Sequence, residues 1–276
     1  MIRRPPRSTL SSSSAASDVY KRQMPGLQEA MADAATSGAS LHLVHANSMS
    51  LGEIETTLSM VSDAQKNGLD ITTEVYPYTA ASTSLESVLF DEGWKETLSI
   101  TYEDLQWEAT GERLNRSTFY EYRKKGGTII IHMMKPEWIK KGVSHPVAMI
   151  ASDGMPYAPG AHPRTAGTFS RVLGKYVRKE RVMDLMTALA KMTIMPAKRL
   201  QGVAPVMSGK GRLQVGADAD ITIFNARTII DQADFKGLKY SKGVEHVLVN
   251  GVFVVRNGKN VKDIYPGSAI LGKYRK

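Results

Sequence analysis

The 276-residue chain contains no cysteine. That absence excludes disulfides, thiolate metal sites and a cysteine nucleophile. No apolar run approaches the roughly 18 residues that a membrane-crossing helix needs, so the sequence gives no membrane span. No repeat of fixed period is present, which removes solenoids and propellers. Histidines number six, few enough to be weighed one by one. The formal charge of +9 is not concentrated. Residues 1–23 hold five Lys/Arg and one Asp, or +4, and the remaining +5 is spread over short clusters such as Arg123-Lys124-Lys125 and Lys140-Lys141. Such scatter describes a solvated surface and not a nucleic-acid footprint.

What remains is ordinary for a globular protein: 42% hydrophobic and 23% charged residues, in a length that allows one large or two modest domains. Residues 1–23 stand apart. Arg3-Arg4-Pro5-Pro6-Arg7 is followed by the Ser11–Ser14 run, basic and serine-rich, without the apolar centre of a secretory signal. A transit peptide is one reading. The segment also resembles translated adapter sequence, and on that reading it is not native, and the natural protein is expected to continue upstream.

From Met24 the texture alternates. Leu27, Met31 and Ala34 lie on one face of a helix that Gly38 ends. Leu41–His45 reads as a buried strand, Leu51–Asn67 as a helix, and Ile71–Val75 as a second strand. Helix and strand in alternation with short links predict a parallel α/β sheet or barrel. Residues 84–126 break the rhythm with Phe90, Trp94, Tyr102, Trp107, Phe119, Tyr120 and Tyr122 and no clean period. They read as an inserted lobe over the C-terminal strand ends, or as a partly ordered excursion. The rhythm resumes with strands at Thr128–His132 and Val147–Ala151, a short helix at Pro136–Lys141, and helices at Phe169–Val177, Arg181–Met192 and about Pro196–Leu200. From Gly202 to Lys276 short strands dominate: Gly211–Leu213, Gly216–Phe224, and two runs joined by Asn250-Gly251, a strong hairpin signal.

Chemistry is expected where buried strands end, because α/β barrels place active sites there. Asp153 follows the apolar Ala148-Met149-Ile150 and opens a Gly/Pro-rich loop. A carboxylate at that exit needs a metal, a proton or a cation, or else it caps a turn through an Asx hydrogen bond. His45 ends another strand and is either structural or a ligand. His with a carboxylate is ordinary ligation for zinc or a similar divalent ion. Such an ion lowers the pKa of bound water, and an adjacent Asp can carry the proton to a leaving amine. Arg164 suits bidentate capture of a substrate carboxylate, or forms a loop ion pair. Tyr76 and Ser82 follow a neighbouring strand and hydrogen-bond substrate, or serve turns and packing. His162 shapes its loop, and His132 reads as a core or rim histidine.

Taken together, Val44-His45-Ala46-Asn47-Ser48, Glu74-Val75-Tyr76-Pro77-Tyr78-Thr79-Ala80, Ser152-Asp153-Gly154, His162-Pro163-Arg164, Gly167-Thr168-Phe169, Lys191-Met192-Thr193 and Gly216-Ala217-Asp218-Ala219-Asp220 resemble the C-terminal half of the D-aminoacylase (N-acyl-D-amino-acid deacylase) family of the amidohydrolase superfamily. The resemblance runs over about residues 24–270. It implies an α/β protein: the C-terminal part of a (β/α)8 barrel at 24–201, with the lobe at 84–126, and part of a small β-sandwich at 202–276. It implies hydrolysis of the amide of small-molecule N-acyl-D-amino acids by zinc-bound hydroxide, with His45 and Asp153 as metal ligands and Asp153 also as proton shuttle. Arg164, Tyr76 and Ser82 then hold the substrate carboxylate. Where some family members carry a substrate-binding Lys, this chain has Asn47 or Ser48. The family's remaining metal ligands belong to its first five barrel strands, so the isolated chain is expected to be inactive, and its location is cytoplasmic by default. Cyclic amide hydrolysis and a non-catalytic half-barrel are the competing readings.

Overall fold

A computed structural model describes residues 24–158 and 160–273, and the adapter-like segment 1–23 lies outside the described residues. In chain order the elements are α1 (Met24–Ser37), β1 (Leu41–Leu43), α2 (Ala46–Ser50), α3 (Ile54–Lys66), β2 (Ile71–Val75), β3 (Ala81–Ser84), α4 (Trp94–Leu98), β4 (Leu105–Trp107), α5 (Arg116–Lys125), β5 (Thr128–Ile131), α6 (Pro136–Ser144) and β6 (Ala148–Ile150). They continue with α7 (Arg164–Arg171), which runs on as a π-helical stretch over Val172–Lys179, then α8 (Leu185–Met192) and α9 (Ile194–Leu200). The last strands are β7 (Ile221–Phe224), β8 (Val244–Val249), β9 (Val252–Arg256) and the two-residue β10 (Lys259–Asn260).

Among the described residues three sheets result. The strands β1, β2 and β6 form a parallel sheet in the order β1-β2-β6. Its alternation explains its placement. Leu43, Ile71, Val75, Ala148 and Ile150 share one face and are buried, with Leu27, Ile54, Leu58, Val61, Ile139 and Val143 of the helices in the same clusters. The opposite face carries a polar ladder, in which His42 Nδ1 lies 2.7 Å from Thr72 Oγ1 and Nε2 3.1 Å from Glu74 Oε2. Parallel pairing sends all three strands out at one edge, so the residues that follow β1, β2 and β6 (His45, Tyr76 and Asp153) meet there.

The second sheet corrects one expectation. Thr128–Ile131 does not extend the parallel sheet. It is the centre of an antiparallel sheet, β3-β5-β4, so the excursion begins at Ala81 and ends at Ile131. An all-apolar strand buried on both sides carries no mark of its neighbours' direction. The lobe is packed around aromatic rings: Trp94 and Phe119 stack at 5.3 Å, and Phe90 meets both edge-on. Phe90 and Phe119 are fully buried in the cluster that also holds Val75 and Ile150, so lobe and parallel sheet share one core. Each such ring contributes about 1.5–3 kcal/mol by leaving water.

The third sheet, β10-β9-β8-β7, is antiparallel. Asn250 (φ 49°) and Gly251 (φ 78°) make the tight turn between β8 and β9 that their sequence predicts. Gly211–Leu213, expected as a strand, pairs with none among the described residues, and Leu213 is exposed. Gly216–Phe224 is a strand only from Ile221, because Asp218 and Asp220 turn inward to Lys210, at 3.1 and 2.6 Å. The helix expected from Arg181 starts at Leu185, where Asp184 caps it by accepting from the Thr187 amide at 2.9 Å. The helix expected from Phe169 starts earlier, at Arg164, with Pro163 before it.

Candidate active site

His45 and Asp153 sit at the ends of the two outer strands of the parallel sheet, and both adopt left-handed backbone, at φ 35° and 49°. For residues with a Cβ that conformation costs roughly 1–2 kcal/mol each. It turns the chain sharply off each strand. His45 is held at its corner by Ser48, whose amide donates to the His45 carbonyl at 3.0 Å and whose hydroxyl lies 3.2 Å from Nδ1. Burial holds the His45 imidazole below its ordinary pKa, the Asp153 carboxylate pulls it back up, and the Arg164 cation adds a smaller downward push.

Arg164 opens α7 and its side chain is 2% exposed. Its Nη1 lies 2.8 Å from Asp153 Oδ2, so the two residues form an ion pair. The guanidinium carbon sits 4.7 Å from the centre of the Tyr76 ring. Among the described residues Nε has no hydrogen-bond partner, while Nη1 meets Asp153 as a charge contact without an aligned hydrogen bond. A buried guanidinium with an unused Nε donor is costly, and an incoming carboxylate oxygen offers the acceptor it lacks.

Behind it, His162 is fully buried. Its Nδ1 accepts from the Arg164 amide at 3.1 Å, and its Nε2 lies 3.0 Å from the Ala80 carbonyl. These two contacts require the neutral tautomer with its proton on Nε2. Burial and then the Arg164 charge push its pKa well down, which agrees with that state.

The structure therefore joins His45, Asp153, Arg164 and Tyr76. Ser82 lies apart from these contacts, on β3, where its hydroxyl donates to the Ile129 carbonyl at 3.0 Å. Sequence reasoning noted Asn47 only as standing where some family members carry a Lys and missed its grip on Tyr76. It is fully buried, its Nδ2 donates to the Tyr76 carbonyl at 3.1 Å, and its Oδ1 accepts the Tyr76 amide at 3.3 Å. Where some relatives were expected to place a Lys, this chain uses an amide to fix Tyr76. His132 is a rim histidine, with Nε2 3.0 Å from Gln106 Oε1 and its pKa pushed down to about 4, mainly by burial.

Among the described residues no group of three His, Cys, Asp or Glu is placed to hold a metal ion. His45 and Asp153 supply two donors, where zinc takes three or four protein ligands. These residues by themselves do not fit a metal site.

A model of the amidohydrolase family matches residues 29–255, and the chain belongs to that family. An N-acyl-D-glutamate deacylase of Alcaligenes xylosoxydans xylosoxydans is 35% identical over 213 residues, which are 74% of this chain and 42% of that protein. A D-aminoacylase of the same organism is 32% identical over 72% of this chain and 42% of its own length. The structure of an N-acyl-D-glutamate deacylase from Bordetella bronchiseptica, complexed with zinc and a phosphonate inhibitor, superposes with a TM-score of 0.71 at 28% identity, covering 86% of this chain and 52% of that one. A D-aminoacylase described with a binuclear metal centre shares the fold, with a TM-score of 0.73 at 23% identity over 87% of this chain and 52% of that one. The resemblance read from the motifs is met by these matches, and the chain spans about half the length of the relatives or less. No described helix is long and apolar enough to cross a membrane.

Proposed function

We propose that this chain carries the carboxylate-binding and proton-carrying side of an amidohydrolase that cleaves the amide of N-acyl-D-amino acids, the strands β1, β2 and β6 being part of its barrel. The observation that carries this is Arg164: buried, stacked on Tyr76, paired with Asp153, and left with an Nε donor that no described residue accepts. The substrate's carboxylate takes that donor. That places the scissile amide beside Asp153, whose carboxylate accepts a proton from the attacking water and returns it to the departing amine nitrogen. The carbonyl carbon–nitrogen bond breaks, leaving a carboxylate and a free amino acid. Zinc or a similar divalent ion is the cofactor implied by the likeness to deacylases, and His45 and Asp153 are the two donors this chain offers it. Ser82 is retained in this reading as a substrate contact through its hydroxyl oxygen, which can still accept while its proton is held by Ile129.

The test is binding, because two donors do not hold zinc and turnover is not expected of this chain by itself. N-acetyl-D-glutamate and N-acetyl-L-glutamate are titrated into the purified chain by calorimetry, alongside Arg164→Ala. The D-isomer binds more tightly, and Arg164→Ala weakens it at least about tenfold, the loss of one charge-assisted pair. Equal binding of both isomers, or binding that Arg164→Ala leaves unchanged, overturns the proposal.

A further inference from the structure

The segment between β7 and β8, residues 225–243, is not a simple sheet connection. Its base is closed by backbone hydrogen bonds between Asn225 and Gly243 at 2.8 Å and between Ile230 and Lys242 at 3.0 and 2.9 Å. From there it reaches across the molecule and is tied down at three places. Arg178 donates to the Ile229 carbonyl at 2.5 Å. Asp231, with its side chain buried, accepts from Arg171 Nη1 at 2.8 Å and from the Tyr78 hydroxyl at 3.1 Å. Arg171 in turn donates Nε to the Pro77 carbonyl at 2.8 Å and lies over the Tyr78 ring at 4.5 Å. The third tie is Phe235. Its carbonyl accepts from Gln106 Nε2 at 3.0 Å, and its ring meets His132 at 4.8 Å and His162 at 5.1 Å.

These ties connect the strap to the loop after β2, to the helix that Arg164 opens, and to the lobe. The path to Arg164 is short. Phe235 presses edge-on against His162, and His162 holds the Arg164 amide through Nδ1. The ring of His162 is otherwise bounded by Tyr76 and Tyr78, also edge-on, at 6.4 and 5.6 Å. Phe235 thus closes the remaining flank of the imidazole that anchors the start of α7.

We propose that the strap is a positioning element of the site, in which Asp231 is the anchor and Phe235 the wedge that fixes His162 and, through it, the direction of the Arg164 guanidinium. Residues of the C-terminal β unit thereby set how tightly a substrate carboxylate is held at the edge of the parallel sheet. Removing the ring opens a flank of His162 to water, which competes for its hydrogen bonds to the Ala80 carbonyl and the Arg164 amide. A buried charge-assisted pair loses strength as its geometry departs from the short, aligned contact. The ligand arm of this proposal rests on the deacylase reading above, and the arm that observes Arg164 directly does not.

The experiment compares the full chain with Phe235→Ala, Phe235→Leu and Gln106→Met. Gln106→Met keeps the ring and cuts the carbonyl tie together with the bond between Gln106 Oε1 and His132 Nε2. Three quantities are read: the Nε–Hε NMR resonance of Arg164, assigned with Arg164→Lys; the Kd for N-acetyl-D-glutamate; and the melting temperature. Phe235→Ala shifts or broadens the Arg164 resonance and weakens the ligand about tenfold, Phe235→Leu restores most of both, and Gln106→Met gives a smaller change of the same kind. A role in packing alone lowers the melting temperature and leaves the Arg164 resonance and the Kd where they were, and that result overturns the proposal. Should Phe235→Ala fail to fold, Gln106→Met decides by the same two readouts. If the wild-type chain binds neither isomer, the deacylase reading fails, while the Arg164 resonance still decides for or against the strap.

Discussion

Lys191 offers a prediction whose size can be worked out. It lies on α8, is 1% exposed, and its Nζ donates to the Val143 carbonyl at 2.8 Å and also to the carbonyl of His145. Those carbonyls close α6 and begin the turn into β6, the strand that delivers Asp153. Burial pushes the Lys191 pKa from 10.5 down to about 8. The geometry tolerates loss of charge, since a neutral amine keeps two N–H donors and there are two acceptors to fill. In the unfolded chain Lys191 titrates near its ordinary value. Between about pH 8 and 10.5 the unfolded state therefore binds more protons than the folded one, and stability rises with pH across that window. A shift from 10.5 to about 8 corresponds to roughly 3 kcal/mol in all.

Lys191→Met keeps the bulk and removes the titration. It also leaves two buried carbonyls without a donor, a pH-independent loss of about 1–3 kcal/mol. Wild-type stability minus variant stability, measured by urea denaturation, is expected to rise by roughly 2–3 kcal/mol from pH 7 to pH 10, starting near or below zero. All other lysines and tyrosines are common to both proteins and drop out of the difference. His145 is pushed down in part by the Lys191 charge and is neutral in both proteins above pH 7, so it does not enter. A signed difference that stays constant or falls as pH rises refutes the reasoning.

Two further outcomes follow from the same geometry. A Cβ on Gly167 would lie 2.2 Å from the Tyr78 hydroxyl and 2.8 Å from Asp231 Cβ, so Gly167→Ala should destabilise by about 1–3 kcal/mol in chemical denaturation, and a neutral result would show that the strap yields there. His132, with its pKa pushed down to about 4 by burial and then by the Arg113 charge, should stay neutral in NMR titration to well below pH 6; because the unfolded chain takes up that proton first, stability falls as pH drops below about 6.5, and His132→Gln should flatten the fall.

How much of this could be read from the sequence depends on how local the determining interactions are. The parallel strands, the helices between them and the Asn250-Gly251 turn were legible because period and turn chemistry lie within a few residues. So was the gathering of His45, Tyr76 and Asp153, since parallel strands share an exit edge. The direction of β5 was not legible, because Thr128–Ile131 buries both faces in either arrangement. Arg164 could be read as a carboxylate clamp or as a loop ion pair, and it forms the ion pair with Asp153 itself. Asn47, Asp231 and Phe235 carry no local signal. Their partners lie 29, 153 and 129 positions away, at Tyr76, Tyr78 and Gln106, and only the fold brings them together.

The cost of the site's backbone and charges argues that it is a site. Two residues with a Cβ hold left-handed corners, His45 and Asp153, at roughly 1–2 kcal/mol each. The Arg164 guanidinium is buried nearby with an Nε donor that no described residue accepts. Glycine at both corners would relieve the backbone strain. The chain accepts the strain on the same sheet edge where it also places Tyr76, and it surrounds that edge with over-determined geometry: Asn47 grips Tyr76 at both backbone groups, Ser48 holds His45, and His162 is fixed by hydrogen bonds at both ring nitrogens. Strain persists only where neighbours enforce it. Here the enforcing contacts come from the loop after β2, from α7, and through Phe235 from the distant strap. Three separate segments thus hold costly conformations at one edge, and that arrangement supports the carboxylate site proposed there.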